Sequence, residues 1–306
     1  MQKVLLIILD GWGIGALNEA NVFSHVATPT FDHCVAHYPL AALAASGEAV
    51  GLAPDEVGNS ESGHWNLGTG QRFRPEIWNK TMIQSTTSLG AVIARAGKKQ
   101  LHISETEKYV HVTYFFNGGH ASPFQGEDDT LVPSPKVSSY DEKPAMSARL
   151  ITRRLVQALE SGVYDFFVVN YPNLDIIAHT GNRGAVVKAL AIIDRELALV
   201  TATALQHGVT ILMTADHGNI ERITEADHNT AHRTHTFAPV PFIFVRQDLE
   251  GRRCVDAPVI TRDLAPLPVV GALRDVPVTI LELLGLEKPM GMEGVSLTRF
   301  LPKGVS

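Results

Sequence analysis

Ser60 stands between glycines in the run Gly58-Asn59-Ser60-Glu61-Ser62-Gly63-His64. Glycines let a backbone come close to a phosphate, and the N–H groups that open a helix favour an anion. The helix is expected from Trp65 onward. A serine placed there is a nucleophile once something removes its proton. The plain alternative is a surface loop capped by Ser60.

What separates the two readings lies downstream. Three apolar runs lead into acids: Asp10, Asp175 (after a short loop) and Asp216. His217 follows Asp216 directly. His179 is four residues from Asp175, so on a helical turn the two share a face. A further group, His228, His232 and His235, precedes the run that opens at Pro239. One aspartate at a strand end is a common turn residue. Three of them, with His179, His217 and a histidine near 235, form an oxygen-and-nitrogen set adequate for two divalent metal ions. Such a set suits zinc or manganese better than calcium. The isolated Cys34 and Cys254 leave no room for sulfur ligation. His25, His33, His37, His102, His111 and His207 are read as ordinary surface or core residues. Two metals would account for a reactive Ser60 and point to in-line phosphoryl transfer. Lys108 is either a cation facing the phosphate or a solvated loop lysine.

These residues need a scaffold, and the sequence offers one. Residues 3–9, 164–170, 209–215 and 239–245 are predominantly apolar runs, as expected of strands buried on both faces. Acids at their carboxyl ends stand where open α/β sheets bind ligands. Residues 100–104 and the aromatic-rich 110–116 read as two further strands. Residues 40–45 read as a strand or a small-residue connection. Helices are expected from Thr28-Pro29, over 88–96, 147–159 and 185–205, and over 276–284. Residues 71–85 read as a connection and 118–144 as a long irregular excursion.

Composition bounds the rest. A chain of 306 residues with 45% hydrophobic and 19% charged residues can bury a sizeable core. Its net charge of −6 argues against nucleic acid as a partner. The apolar run at the start stops at Asp10, too soon for a membrane span or a signal segment. A cytoplasmic protein, with no membrane partner, is expected. Nothing in the sequence fixes an oligomeric state.

Asp10-Gly11-Trp12-Gly13, residues 45–52, Gly58-Asn59-Ser60-Glu61, Glu105-Thr106-Glu107-Lys108, residues 114–119 and 131–136, and Ala215-Asp216-His217-Gly218-Asn219 come in this order. Together they resemble cofactor-independent phosphoglycerate mutase, a family of the alkaline phosphatase superfamily. The match runs from the first strand to about Leu297, with one large gap. The resemblance implies an α/β fold, a three-layer α/β/α sandwich with a mostly parallel central sheet. It implies that Ser60 is the phosphorylated nucleophile and that Lys108 contacts the transferred group. One metal would be held by Asp10, Ser60, Asp216 and His217, the other by Asp175, His179 and His235. His232, in Thr230-Ala231-His232, competes with His235 for the last place.

One departure changes the expected outcome. The family inserts a whole domain that grips phosphoglycerate, and here only residues 72–87 occupy its place. The chain is therefore expected to be a single domain, 1–306. It keeps the atoms that break a phosphoester and lacks those that hold the product. Hydrolysis of a small phosphorylated metabolite through a phosphoserine intermediate is the expected activity. The rivals are a mutase or other phosphotransferase whose clamp comes from a partner, and a non-catalytic binding protein on the same scaffold.

Overall fold

The computed structural model describes residues 2–74, 87–225, 230–252 and 262–301. The run Lys3–Leu9 forms strand β1, and its residues from Val4 onward are fully buried. Branched side chains on both faces of one strand require cover on both sides, which fixes β1 in the middle of a sheet. Its neighbours are β5 (Phe166–Tyr171) and β6 (Val209–Thr214), each entirely buried. The other strands are β2 (Leu40–Ala44), β3 (Gln100–Glu105), β4 (Glu127–Val132), β7 (Val240–Val245) and β8 (Val269–Ala272). They form one sheet in the order β4-β3-β5-β1-β6-β7-β2-β8. Only β7 runs against the rest, antiparallel to β6 and to β2.

Seven α-helices are described: α1 (Pro29–His37), α2 (Ser60–Thr69), α3 (Leu89–Arg95), α4 (Ala148–Ser161), α5 (Asn173–Ala178), α6 (Arg183–Gln206) and α7 (Asp275–Leu283). The first, fourth and fifth pack against α6 on one side of the sheet, while α2 packs with α3 and α7 on the other. The result is the expected three-layer α/β/α sandwich. Several starts and stops follow the sequence signals. Pro29 opens α1, the Ser88 hydroxyl accepts from Ala91 N–H at the start of α3, and Gly162 ends α4 in the left-handed region.

Three expectations are corrected. Helix α2 begins at Ser60, five residues before Trp65, because the Asn59 side chain accepts from Ser62 N–H at 2.8 Å. Asn59, not Ser60, is the cap, and Ser60 is the first residue of the helix. Residues 110–116 are not a strand. His111–Phe115 form a turn of π-helix, with Phe116 N–H donating to His111 C=O at 3.0 Å. Their β-prone side chains are satisfied by packing instead: Val112 and Phe116 are fully buried, and the Phe116 ring meets His102 edge-on. The excursion 118–144 is not wholly irregular either, since it contains β4. That strand lies at the sheet edge and carries Glu127, Asp128 and Asp129, so its apolar signal is weak. The segment 40–45, left open between strand and connection, is strand β2. Of the expected connection at 72–87, residues 75–86 lie outside the described residues, as does His228.

The Asn59 cap sets where Ser60 points. Asn59→Ala is expected to lower stability by about 1 kcal/mol, read as a shift in the urea midpoint without a change in slope. Full retention of the midpoint would show that α2 is held by packing alone.

Candidate active site

All the parallel strands present their carboxyl ends to one edge, and the acids arrive there with them. Asp10 follows β1 directly, Asp216 and His217 follow β6, Asp175 lies on α5 just after β5, and Lys108 follows β3. The reversed β7 starts at this same edge, so His235 is delivered by the segment that leads into it. Trp12, fully buried against Phe23 and Phe31 at 4.9 and 4.4 Å, anchors the loop that carries Asp10. Gly63 lets α2 lie against β6: a Cβ there would meet Asp216 C=O at 2.4 Å.

Asp10, Asp175 and Asp216 are all buried, with Lys108 among them. The Lys108 Nζ donates to Asp10 Oδ1 and Asp175 Oδ2 at 2.9 Å each, and to Ser60 Oγ at 2.5 Å. Ser60 Oγ is also 3.0 Å from His217 Nε2. Lys108 is thus a buried cation beside Ser60, not a solvated loop lysine. Burial opposes the charge of Lys108, but Asp10 and Asp175 outweigh it and hold its pKa above the ordinary value. Burial likewise pushes Asp175 up, and the Lys108 ammonium, at 2.9 Å, works against it, leaving the carboxyl well below the usual range. At Asp216 the neighbouring His217 and His64 win over burial in the same direction. Asp10 goes the other way: burial and the Asp216 charge raise it.

One ammonium among three carboxylates leaves an excess of negative charge away from water. The imidazoles show what the excess suits. His235 Nδ1 lies 2.9 Å from Gly58 C=O, and His179 Nδ1 lies 2.7 Å from Arg233 C=O. Each Nδ1 therefore carries the proton and donates, which turns each Nε2 lone pair inward. Those two atoms are 3.1 Å apart and lie 3.1 and 3.2 Å from Asp175 Oδ1. Three acceptors converging in this way fit a cation, and histidines oriented by backbone carbonyls are the usual arrangement around one. On the other side, Asp216 Oδ2 and His217 Nδ1 are buried without hydrogen-bond partners. Asp175, His217 and His235 form one group whose ligand atoms lie within 4.8 Å of one another, and Asp10, His64 and Asp216 another. The donor set fits divalent cations.

Eight residues singled out from the sequence are therefore in one place: Asp10, Ser60, Lys108, Asp175, His179, Asp216, His217 and His235. His232 is not with them; its Nδ1 is 2.8 Å from Glu225. Sequence reasoning passed over three residues. His64 lies 3.3 Å from Asp216, but Asn170 donates to its Nε2 at 3.0 Å and its Nδ1 faces Ser60 C=O at 2.9 Å. Both ring nitrogens are thus engaged by the protein. Asn170 also donates to Asp10 at 2.7 Å, and Asn219 to Asp175 at 2.8 Å. Their positions gave the only signal: His64 is one helical turn after Ser60, and both asparagines stand beside strand-end acids.

The profile of the metalloenzyme superfamily matches residues 2–288. The chain belongs to the metalloenzyme superfamily. Among its relatives, the 2,3-bisphosphoglycerate-independent phosphoglycerate mutase of Chloroflexus aggregans is 46% identical over 212 residues, covering 69% of this chain and 37% of that protein. The corresponding mutase of a Cyanothece strain is 49% identical over 211 residues, 68% of this chain and 38% of that one. This superfamily member thus spans well under half the length of these relatives. Among solved structures, phosphoglycerate mutase of Leishmania mexicana superposes with a TM-score of 0.79 at 17% identity, over 96% of this chain and 97% of that one. Alkaline phosphatase from the Antarctic bacterium TAB5 superposes at 0.60 and 11% identity, over 93% and 98% of the two chains. These superpositions show that the fold of the sandwich is alkaline-phosphatase-like.

The Lys108 ammonium has a testable electrostatic role. In metal-free protein, Lys108→Met is expected to cost about 3–5 kcal/mol, seen as a lower urea midpoint. Saturating Mn2+ should recover part of the loss, because ions that bind only the folded chain stabilise it. An unchanged midpoint in metal-free protein would show that the carboxylates do not depend on the ammonium.

Proposed function

We propose that this chain is a two-metal phosphohydrolase that acts on a small phosphomonoester through a phosphoserine intermediate on Ser60. The observation that carries this is the setting of Ser60. Its hydroxyl is buried at the first residue of α2, between Lys108 Nζ and His217 Nε2, and beside the carboxylates. In this reading Asp10, Ser60, Asp216 and His217 hold one ion and Asp175, His179 and His235 the other, manganese or zinc in each place. Bound there, the ions would supply Lewis-acid polarisation and neutralise developing charge. Ser60 Oγ attacks phosphorus as the bond to the substrate oxygen breaks, and the alcohol leaves with the proton that Ser60 gives up. Water then displaces Oγ from phosphorus, releasing inorganic phosphate and restoring the hydroxyl. Lys108 places its charge on the transferred group, and the opening turn of α2 adds a favourable field for an anion.

The same proposal covers the setting. One sheet and one apolar core among the described residues support a single domain over 1–306. No described helix is long and apolar enough to cross a membrane, and the net charge of −6 speaks against nucleic acid. A cytoplasmic enzyme for a small phosphorylated metabolite accords with both. A second reading, a phosphoglycerate mutase or other phosphotransferase with its clamp supplied by a partner, is favoured by the identity of 46–49% to phosphoglycerate mutases. A non-catalytic binding protein accords less well with a set in which every expected ligand is retained.

Two outcomes are expected. Ser60→Ala should abolish turnover while leaving the fold intact, and mass spectrometry of acid-quenched wild type should find phosphate on Ser60. Near-normal rates in Ser60→Ala would mean that water attacks directly.

The second outcome separates the readings. Water at roughly 55 M competes with any freely diffusing alcohol at millimolar levels or below for the phosphoserine. Phosphate release should therefore exceed formation of 2-phosphoglycerate from 3-phosphoglycerate by a wide margin, measured in parallel on the purified chain. Isomerisation with little phosphate lost would replace the hydrolase reading by the mutase one.

A further inference from the structure

Glu221 is a buried acid with no part in the chemistry assigned to Ser60 and the metal ligands; only 8% of its surface is exposed. Three chain segments meet at its carboxyl group. Its Oε1 accepts the hydroxyl of Thr236, the residue next to His235. The loop after Asp10 lies against the same group: a Cβ on Gly13 would meet Glu221 Oε2 at 2.0 Å. The segment that carries Glu221 is itself tied to both neighbours. Ile220 N–H donates to Gly11 C=O at 3.1 Å, and Thr236 N–H donates to Gly218 C=O at 3.0 Å.

His235 needs such support more than the other members of its set. Asp175 and His179 are one turn apart at α5, so a single element positions both. His235 is brought in by an extended segment between β6 and β7, with its imidazole reaching Asp175 at 3.2 Å. The His217 ring stacks on it at 3.8 Å, and two hydrogen-bonded contacts set its height and direction: Nδ1 to Gly58 C=O at 2.9 Å, and the backbone pinned at Thr236. A side chain that sets the segment adjacent to a ligand governs the aim of that ligand as surely as a direct hydrogen bond does.

We propose that Glu221 is a positioning residue, which through Thr236 fixes His235 against Asp175 and so holds together the set Asp175, His179 and His235. The inference rests on the reading that this set holds a metal ion. Burial raises the Glu221 pKa towards the neutral acid, whose closest isostere is glutamine. An amide oxygen can accept from Thr236 as the carboxyl oxygen does.

The test titrates the full metal-free chain with Mn2+ by calorimetry, and with Co2+ by its visible absorption. Wild type and Glu221→Gln are expected to bind two equivalents alike. Glu221→Ala and Thr236→Val should keep one equivalent and bind the second about 10–100-fold more weakly, with altered Co2+ absorption for that equivalent. Thr236→Val exchanges the hydroxyl for a methyl of similar size, giving up its bonds to Glu221 and from Ala238 N–H, and unchanged circular dichroism of this variant guards against a general loss of structure. His235→Ala is the reference for loss of the second ion. If it loses an equivalent while Glu221→Ala and Thr236→Val both bind as wild type does, the positioning role is overturned. The role is also overturned if Glu221→Gln binds as poorly as Glu221→Ala. If His235→Ala itself keeps both ions, or wild type takes fewer than two, the metal assignment has failed instead, and the inference falls with it.

Discussion

Three aspartates that share one buried space repel one another, and the rest of the structure is arranged around that repulsion. Removing a carboxylate from water costs several kcal/mol, and more when like charges are close. Asp10, Asp175 and Asp216 are held in place nonetheless, by one ammonium, two asparagine amides and the backbone N–H groups of Gly11 and His217. An apolar sheet surrounds them and lets none of the carboxylates turn out to solvent. Cation binding and folding are therefore linked: ions that neutralise the site stabilise the sandwich that creates it.

Topology decides which residues share this space. A parallel strand delivers the residues after it to the carboxyl edge, which accounts for Asp10, Asp175, Asp216 and Lys108. One reversed strand delivers the residues before it, which accounts for His235. A sheet with β7 parallel would have placed that histidine at the far edge. The single antiparallel strand is thus part of the site's construction, and the connection from β6 to β7 is where the candidate ligand set relies on loop contacts.

Most of this was legible in the chain because the strongest signals were physical necessities. Fully buried strands must be apolar throughout, so β1, β5, β6 and β7 stood out, and the acids at their ends were conspicuous by contrast. The segment 110–116 misled because β-branched and aromatic residues suit any half-buried surface, and here the surface is that of a π-turn packed on α2. Strand β4 was hidden by its acids, since a strand bordering solvent need not alternate. Ser60 was recognised while its helix was set too late, because Asn59 was not read as its cap. The contributions of His64, Asn170 and Asn219 could not be read at all. Each is an ordinary polar residue until the fold shows which carboxylate or carbonyl it faces.

The two borders of the sheet bear on how copies of this chain behave towards each other. An unpaired strand presents a row of N–H and C=O groups that a second copy can extend into a continuous ribbon. Strand β4 forms one border with Asp128 exposed and Asp129 half-buried, so a like strand approaching in register would meet its own charges. Strand β8, at the opposite border, has only four residues, too few to template a long ladder. The same acids that concealed β4 in the sequence thus oppose the edge-to-edge pairing of two copies through this strand.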